Sequence, residues 1–121
     1  MKEILYVFLG GGIGSVARYL LGKLVGSGWP MDFPLATFLT NIAGCFLVGL
    51  SGAWIVRHCL QEEWRLLLVV GLCGGFTTFS TFGKESLALM QDGHILWLCL
   101  YVLASVAFGI VAVWAGSKVI A

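Results

Sequence analysis

The chain has 121 residues, of which 60% are hydrophobic and 11% charged, and its formal net charge is +1. Soluble domains carry about 25% charged residues, and so small a chain has too much surface to leave this bare of charge, so a water-soluble globule is excluded and lipid is the implied solvent. The near-zero charge offers no basic field for nucleic acid and no acidic field for cations.

A helix needs about 20 residues to cross the hydrocarbon core. Four spans and three short connections therefore use almost the whole chain as a single membrane domain. The spans are predicted over about residues 3–26, 35–56, 66–91 and 95–119, which makes an all-α integral membrane protein. With Lys2 as its only basic flank and no small-residue cleavage site, the N-terminus is expected to start the first helix and not to be a signal peptide.

The first span carries Gly10, Gly14, Gly22 and Gly26, with Arg18 filling the gap in a series of period four. Small residues at that spacing share a helix face and let backbones approach closely in lipid. The GGGIG run is no phosphate loop, because no strand precedes it and no GK[ST] follows. Gly28, Pro30, Asp32 and Pro34 make Ser27–Pro34 a loop, and Trp29 suits a membrane interface there.

Thr37, Thr40, Asn41, Gly44 and Ser51 form a polar stripe on the otherwise apolar second span. Such a stripe serves interhelical hydrogen bonding, at about 0.6 kcal/mol per bond on average, or lines a pore. Asn41 stands out because its amide brings two donors into the bilayer. Arg57–Arg65 is a polar loop, and His58 and His94 read as solvated loop residues.

The third span contains GLCGGFTTFSTFG (Gly71–Gly83), with four glycines and four hydroxyl residues in thirteen positions. That composition disfavours an uninterrupted helix, so a break near the midplane is expected. The freed backbone groups would each cost several kcal/mol against lipid, so they must be buried in protein or line an aqueous cavity. On the fourth span Tyr101, Ser105 and Gly109 share a face, while Trp97 and Trp114 read as interface anchors. Cys45, Cys59, Cys73 and Cys99 show no metal-ligand or disulfide pattern.

Four spans put both termini on one side, with Lys2, Arg57, Arg65 and Lys118; the other side has Lys23 and Lys84, plus Arg18 if it snorkels that way. So slight a bias gives little orientation preference. Insertion both ways up would allow an antiparallel, dual-topology homodimer in which two broken helices meet around a two-fold axis and shield each other.

Three segments, GGGIGSVARY (Gly10–Tyr19), TFLTNIAGCFLVG (Thr37–Gly49) and GLCGGFTTFSTF (Gly71–Phe82), resemble the small bacterial fluoride channels of the Fluc or CrcB type, and the likeness extends over the full length. The resemblance implies a dual-topology homodimer in the bacterial inner membrane with two fluoride pores. It assigns Asn41, Phe79, Phe82, Ser80 and Thr81 to the anion path, with Thr37 beside Asn41 on the same stripe and Tyr101 and Ser105 on the facing helix. It places a central sodium ion on the backbone carbonyls of Gly74 and Thr77. Arg18, Gly10, Gly14 and Gly75 match motif positions with structural roles.

The residue types suit the ion. A fluoride pore must replace water with donors without trapping the anion. Asn41 offers an amide and Ser80, Thr81 and Ser105 offer hydroxyls, while Phe79 and Phe82 present positive ring edges. Two rival functions fit less well. A proton-coupled drug exporter of this size needs a membrane-embedded acid, and Glu85, the deepest, sits beside Lys84, where pairing or snorkelling is expected. A non-transporting assembly protein accounts for the glycines but not for the polar stripe and hydroxyl-rich segment. No metal cluster, Ser-His-Asp set or acid pair suggests an enzyme.

Overall fold

The computed structural model describes residues 1–26 and 33–120. The expected loop with Gly28, Trp29, Pro30 and Asp32 lies outside the described residues. Among the described residues all regular structure is helical, and four helices are long and apolar enough to cross a membrane: Lys2–Gly26, Leu35–Arg57, Glu62–Gln91 and Ile95–Ile120. The first and second are α1 and α2. The third is composite: α3 (Glu62–Arg65), a π-helical stretch (Leu66–Cys73), α4 (Gly74–Phe76) and α5 (Phe79–Gln91). The fourth is α6 (Ile95–Ile120).

The helices pack in two intimate pairs, and glycine decides both. Gly10 and Gly14 of α1 lie so close to the π-helical stretch that an added Cβ would collide with the Leu67 and Leu72 carbonyls. Gly49 of α2 and Gly116 of α6 face each other's helices in the same way, against the Val113 and Phe46 carbonyls. Without a hydrophobic force between helices in lipid, such backbone-to-backbone van der Waals contact is the main attraction. The outward faces are apolar: Phe8, Leu24, Leu103 and Ile110 are all largely exposed, as they should be when the surroundings are acyl chains.

Two features depart from the expected outline. Glu62–Arg65 is helical and not loop. Two carboxylates in a first turn favour a helix N-terminus, and Arg65 pairs with Glu62 one turn earlier, with an Nε to Oε1 distance of 2.7 Å. Leu66–Cys73 takes the rare i→i+5 pattern along the surface where α1 touches it. The chain then reverses at two similar turns. After α2, Leu60 N–H donates to the Ile55 carbonyl at 3.0 Å across Cys59, which has φ +48°. After α5, His94 N–H donates to the Leu89 carbonyl at 2.9 Å across Gly93, with φ +80°.

Between α4 and α5 two residues are extended, Thr77 (φ −85°, ψ 157°) and Thr78 (φ −149°, ψ 119°). They fall inside the hydroxyl-rich segment, and the polar residues of α1 and α2 converge on them.

Candidate permeation site

Extended backbone within an apolar span leaves polar groups that need partners, and nearly every neighbour of Thr77 and Thr78 supplies one. Thr77 closes α4 by donating both its N–H (3.0 Å) and its hydroxyl (2.9 Å) to the Cys73 carbonyl. Arg18 reaches from α1 and donates Nε–H to the Gly75 carbonyl at 3.1 Å, placing a cation at the carbonyl end of the helix. Asn41 holds Thr78 from both sides. Its Oδ1 accepts the Thr78 N–H at 2.9 Å and its Nδ2 donates to the Thr78 carbonyl at 3.1 Å. One donor and one acceptor of the Asn41 amide are thereby spent, and one of each remains.

Thr78 also caps α5. Its hydroxyl accepts the Thr81 N–H at 3.2 Å, donates to the Thr81 hydroxyl at 3.1 Å and lies 3.3 Å from the Ser80 hydroxyl. Among the described residues, the carbonyls of Gly74 and Thr77 accept no hydrogen bond.

Two cavities flank this point. One, of about 460 Å³, is lined by Arg18, Lys23, Thr37, Thr40, Thr78 and Thr81, with small and aromatic neighbours. It is cationic and rich in hydroxyls. The other is a groove of about 380 Å³ lined by Asn41, Thr77, Thr78, Phe79, Phe82 and Ser105 among aliphatic side chains. The Ser105 hydroxyl oxygen is buried without a partner. The Phe79 and Phe82 rings are 5.7 Å apart between centroids and tilted 38°, and both line this groove. Phe79 is 82% exposed, whereas Phe82 packs on Tyr101 at 4.8 Å.

The anticipated residues are therefore divided between two compartments and a framework. Asn41, Thr77, Phe79, Phe82 and Ser105 share the groove, while Thr37, Thr81 and Arg18 share the cationic cavity. Ser80 touches both only through Thr78. Tyr101 lines neither: it is 0% exposed, and its hydroxyl donates to Glu85 Oε1 at 3.0 Å. That bond also corrects the expectation for Glu85, whose partner is Tyr101 on the next helix and not Lys84. Gly10 and Gly14 lie away from the cavities as packing positions. Gly75 combines contact with the Gly11 backbone and the carbonyl taken by Arg18.

Thr78 and Lys23 line the site without having been assigned to it, and Thr40 lines it as a member of the polar stripe of the second span. Thr78 sits between Thr77 and Phe79 in a run of hydroxyl and aromatic residues, and nothing in the sequence marks it as the capping and clamped member. Among the described residues no group of three His, Cys, Asp or Glu side chains is placed to hold a metal ion. Oxygen ligands for a hard cation are present as the free Gly74 and Thr77 carbonyls, which suit sodium by donor type.

A sequence model of the family described as "CrcB-like protein, Camphor Resistance (CrcB)" matches residues 5–117. The chain is similar to the fluoride-specific ion channel FluC of Flavobacterium psychrophilum, at 44% identity over 96% of this chain and 94% of that protein. It is 46% identical to the FluC of Phocaeicola vulgatus, with 96% of each chain covered. To FluC 2 of Rhodococcus jostii it is 47% identical, over 95% of this chain and 96% of that one.

Proposed function

The chain belongs to the CrcB family, and we propose that it is a passive, fluoride-selective channel that exports fluoride and protects the cell from it. It is a multi-pass protein of the bacterial membrane, in the inner membrane by this proposal, and not an enzyme. The observation that carries the function is the pairing of a cationic, hydroxyl-lined cavity with an aromatic groove across the extended Thr77–Thr78 backbone.

The chemistry is that of a stepwise replacement of water. Arg18 and Lys23 raise the local concentration of anions in the first cavity without standing in the groove. Hydroxyls of Thr37 and Thr81 supply neutral donors, which bind an anion less tightly than a cation would. In the groove, Phe79 and Phe82 contribute ring edges and Ser105 an uncommitted hydroxyl. Export follows from the gradient. Fluoride enters from acidic surroundings as neutral HF and ionises inside, and the negative-inside potential drives the anion out.

The break of the third span near the bilayer midplane, the antiparallel dual-topology homodimer and the sodium ion belong to the same proposal. The extended pair at Thr77–Thr78 supports the first. The weak charge difference between the two ends and the 82% exposure of Phe79 support a second copy against this face. Two free carbonyls per chain are too few for a sodium ion, and a two-fold partner supplies two more. When bound, sodium would neutralise converging carbonyl ends and hold the two chains together. Dimer melting in sodium-free buffer should therefore fall; unchanged melting rules out the structural role.

A small proton-coupled drug exporter is the rival, and the placement of Glu85 counts against it: the carboxylate lines neither cavity and is held by Tyr101. The deciding experiment is voltage-driven efflux from liposomes containing purified protein, with a potassium ionophore setting the potential and separate electrodes reading fluoride and chloride. Rapid fluoride efflux with little chloride efflux is expected. Absence of fluoride efflux from folded protein overturns the channel assignment.

A further inference from the structure

Among the described residues Thr78 is the one that lines both cavities. On one side of it lie Arg18, Lys23, Thr37 and Thr81; on the other lie Asn41, Phe79 and Ser105. Its backbone cannot yield to a passing ion, because Asn41 pins both its N–H and its carbonyl. Its hydroxyl proton, by contrast, moves by a single C–O rotation. At rest that proton points to the Thr81 hydroxyl at 3.1 Å, and the Ser80 hydroxyl is 3.3 Å away.

We propose that Thr78 is the hand-over residue of the anion path: its hydroxyl releases Thr81, donates to fluoride arriving from the cationic cavity, and passes the ion to the aromatic groove. The inference rests on the channel function proposed above and adds a selectivity-determining residue to it. Three features suit the task. Exchanging a hydroxyl acceptor for fluoride replaces one hydrogen bond by a stronger, charge-assisted one. Thr81 regains the bond when the ion leaves, so the anion is not trapped. Through all of this the oxygen of Thr78 can continue to accept the Thr81 N–H at 3.2 Å, so the end of α5 stays capped.

The obvious objection is that Thr78 is only a cap, and three substitutions separate the two roles. Thr78→Ser keeps both the cap and the donor. Thr78→Asp keeps a strong capping group but places an acceptor-only carboxylate on the path. Thr78→Val keeps the β-branched shape that suits extended backbone and removes the hydroxyl. The assay is liposome fluoride efflux, with thermal melting of each purified variant beside it. Expected are efflux near wild type for Thr78→Ser, a fall of about tenfold or more for Thr78→Val, as loss of one hydrogen bond implies, and near-complete loss for Thr78→Asp with its melting retained.

If Thr78 is only a cap, Thr78→Asp conducts like wild type and Thr78→Val changes melting alone; either result from folded protein overturns the proposal. If Thr78→Val does not fold, the Asp and Ser variants still decide it. Failure of the wild type itself to carry fluoride overturns the channel function and this role together, and so is distinguishable from failure of Thr78 alone.

Discussion

Asn41 and Thr78, on different helices, exchange two hydrogen bonds as one peptide unit does with another: the Thr78 N–H meets Oδ1 at 2.9 Å and Nδ2 meets the Thr78 carbonyl at 3.1 Å. A primary amide is well suited to this, since it carries a donor and an acceptor at the spacing of a backbone pair. The side chain thus does for an extended residue inside a membrane span what the neighbouring turn does inside a helix.

Asn41→Ala should therefore cost stability as well as flux. It strands an N–H and a carbonyl that are part-buried within an apolar span, at up to about 1–3 kcal/mol each. Thermal melting in detergent should fall clearly below wild type. Asn41→Asp keeps the acceptor for the Thr78 N–H but loses the donor to its carbonyl and brings a negative charge to the groove. Fluoride efflux from Asn41→Asp liposomes should drop sharply, and normal efflux with that carboxylate ionised would place Asn41 off the path.

Phe79 and Phe82 should separate permeation from folding. Both Phe79→Ile and Phe82→Ile remove a ring edge, worth about 0.5–1.5 kcal/mol in a favourable contact, and should slow fluoride by up to about tenfold. Phe79→Ile gives up only the mutual contact of the two rings at 5.7 Å, whereas Phe82→Ile also gives up packing on Tyr101 at 4.8 Å, so Phe82→Ile should lower the melting temperature more. Two variants that conduct like wild type would remove the aromatic edges from the mechanism.

The glycines should divide sharply under substitution by alanine. A Cβ on Gly14 meets the Leu72 carbonyl and, at 2.9 Å, the Phe76 nitrogen. These are backbone atoms that cannot swing aside, so Gly14→Ala should cost about 1–3 kcal/mol or more. Gly12 has nothing within 4 Å of its would-be Cβ; Gly12→Ala should be neutral or gain up to about 1 kcal/mol from helix propensity. Melting curves of the pair check the assignment of the packing face.

Cys59 occupies the left-handed region at φ +48°, where the equivalent turn after α5 has Gly93. That conformation costs a side-chain-bearing residue about 1–2 kcal/mol, and glycine's larger unfolded-state entropy offsets part of the gain. Cys59→Gly should stabilise by about 1 kcal/mol without touching fluoride efflux. Lower melting would show that the Cys59 side chain contributes contacts of its own.

The sequence alone determined the solvent of this protein and the number of its spans, because 60% hydrophobic residues with few charges, grouped in runs of span length, leave no other way to satisfy the backbone. It also marked Gly71–Gly83 as poor helix-forming composition, since glycines and hydroxyl residues disfavour helix wherever they cluster, and the extended Thr77 and Thr78 fall within it. The helix of the third span begins at Glu62, ahead of its apolar run; Glu62 and Glu63 look like loop residues until their position in a first turn is known. Tertiary structure decided which two residues are extended, that Asn41 clamps one of them, and that Glu85 belongs to Tyr101. Those pairs lie 37 and 16 residues apart in the chain. No local periodicity encodes them. The first follows from how closely Gly44 lets α2 approach Thr77; the second joins α5 to α6, the helix that follows it.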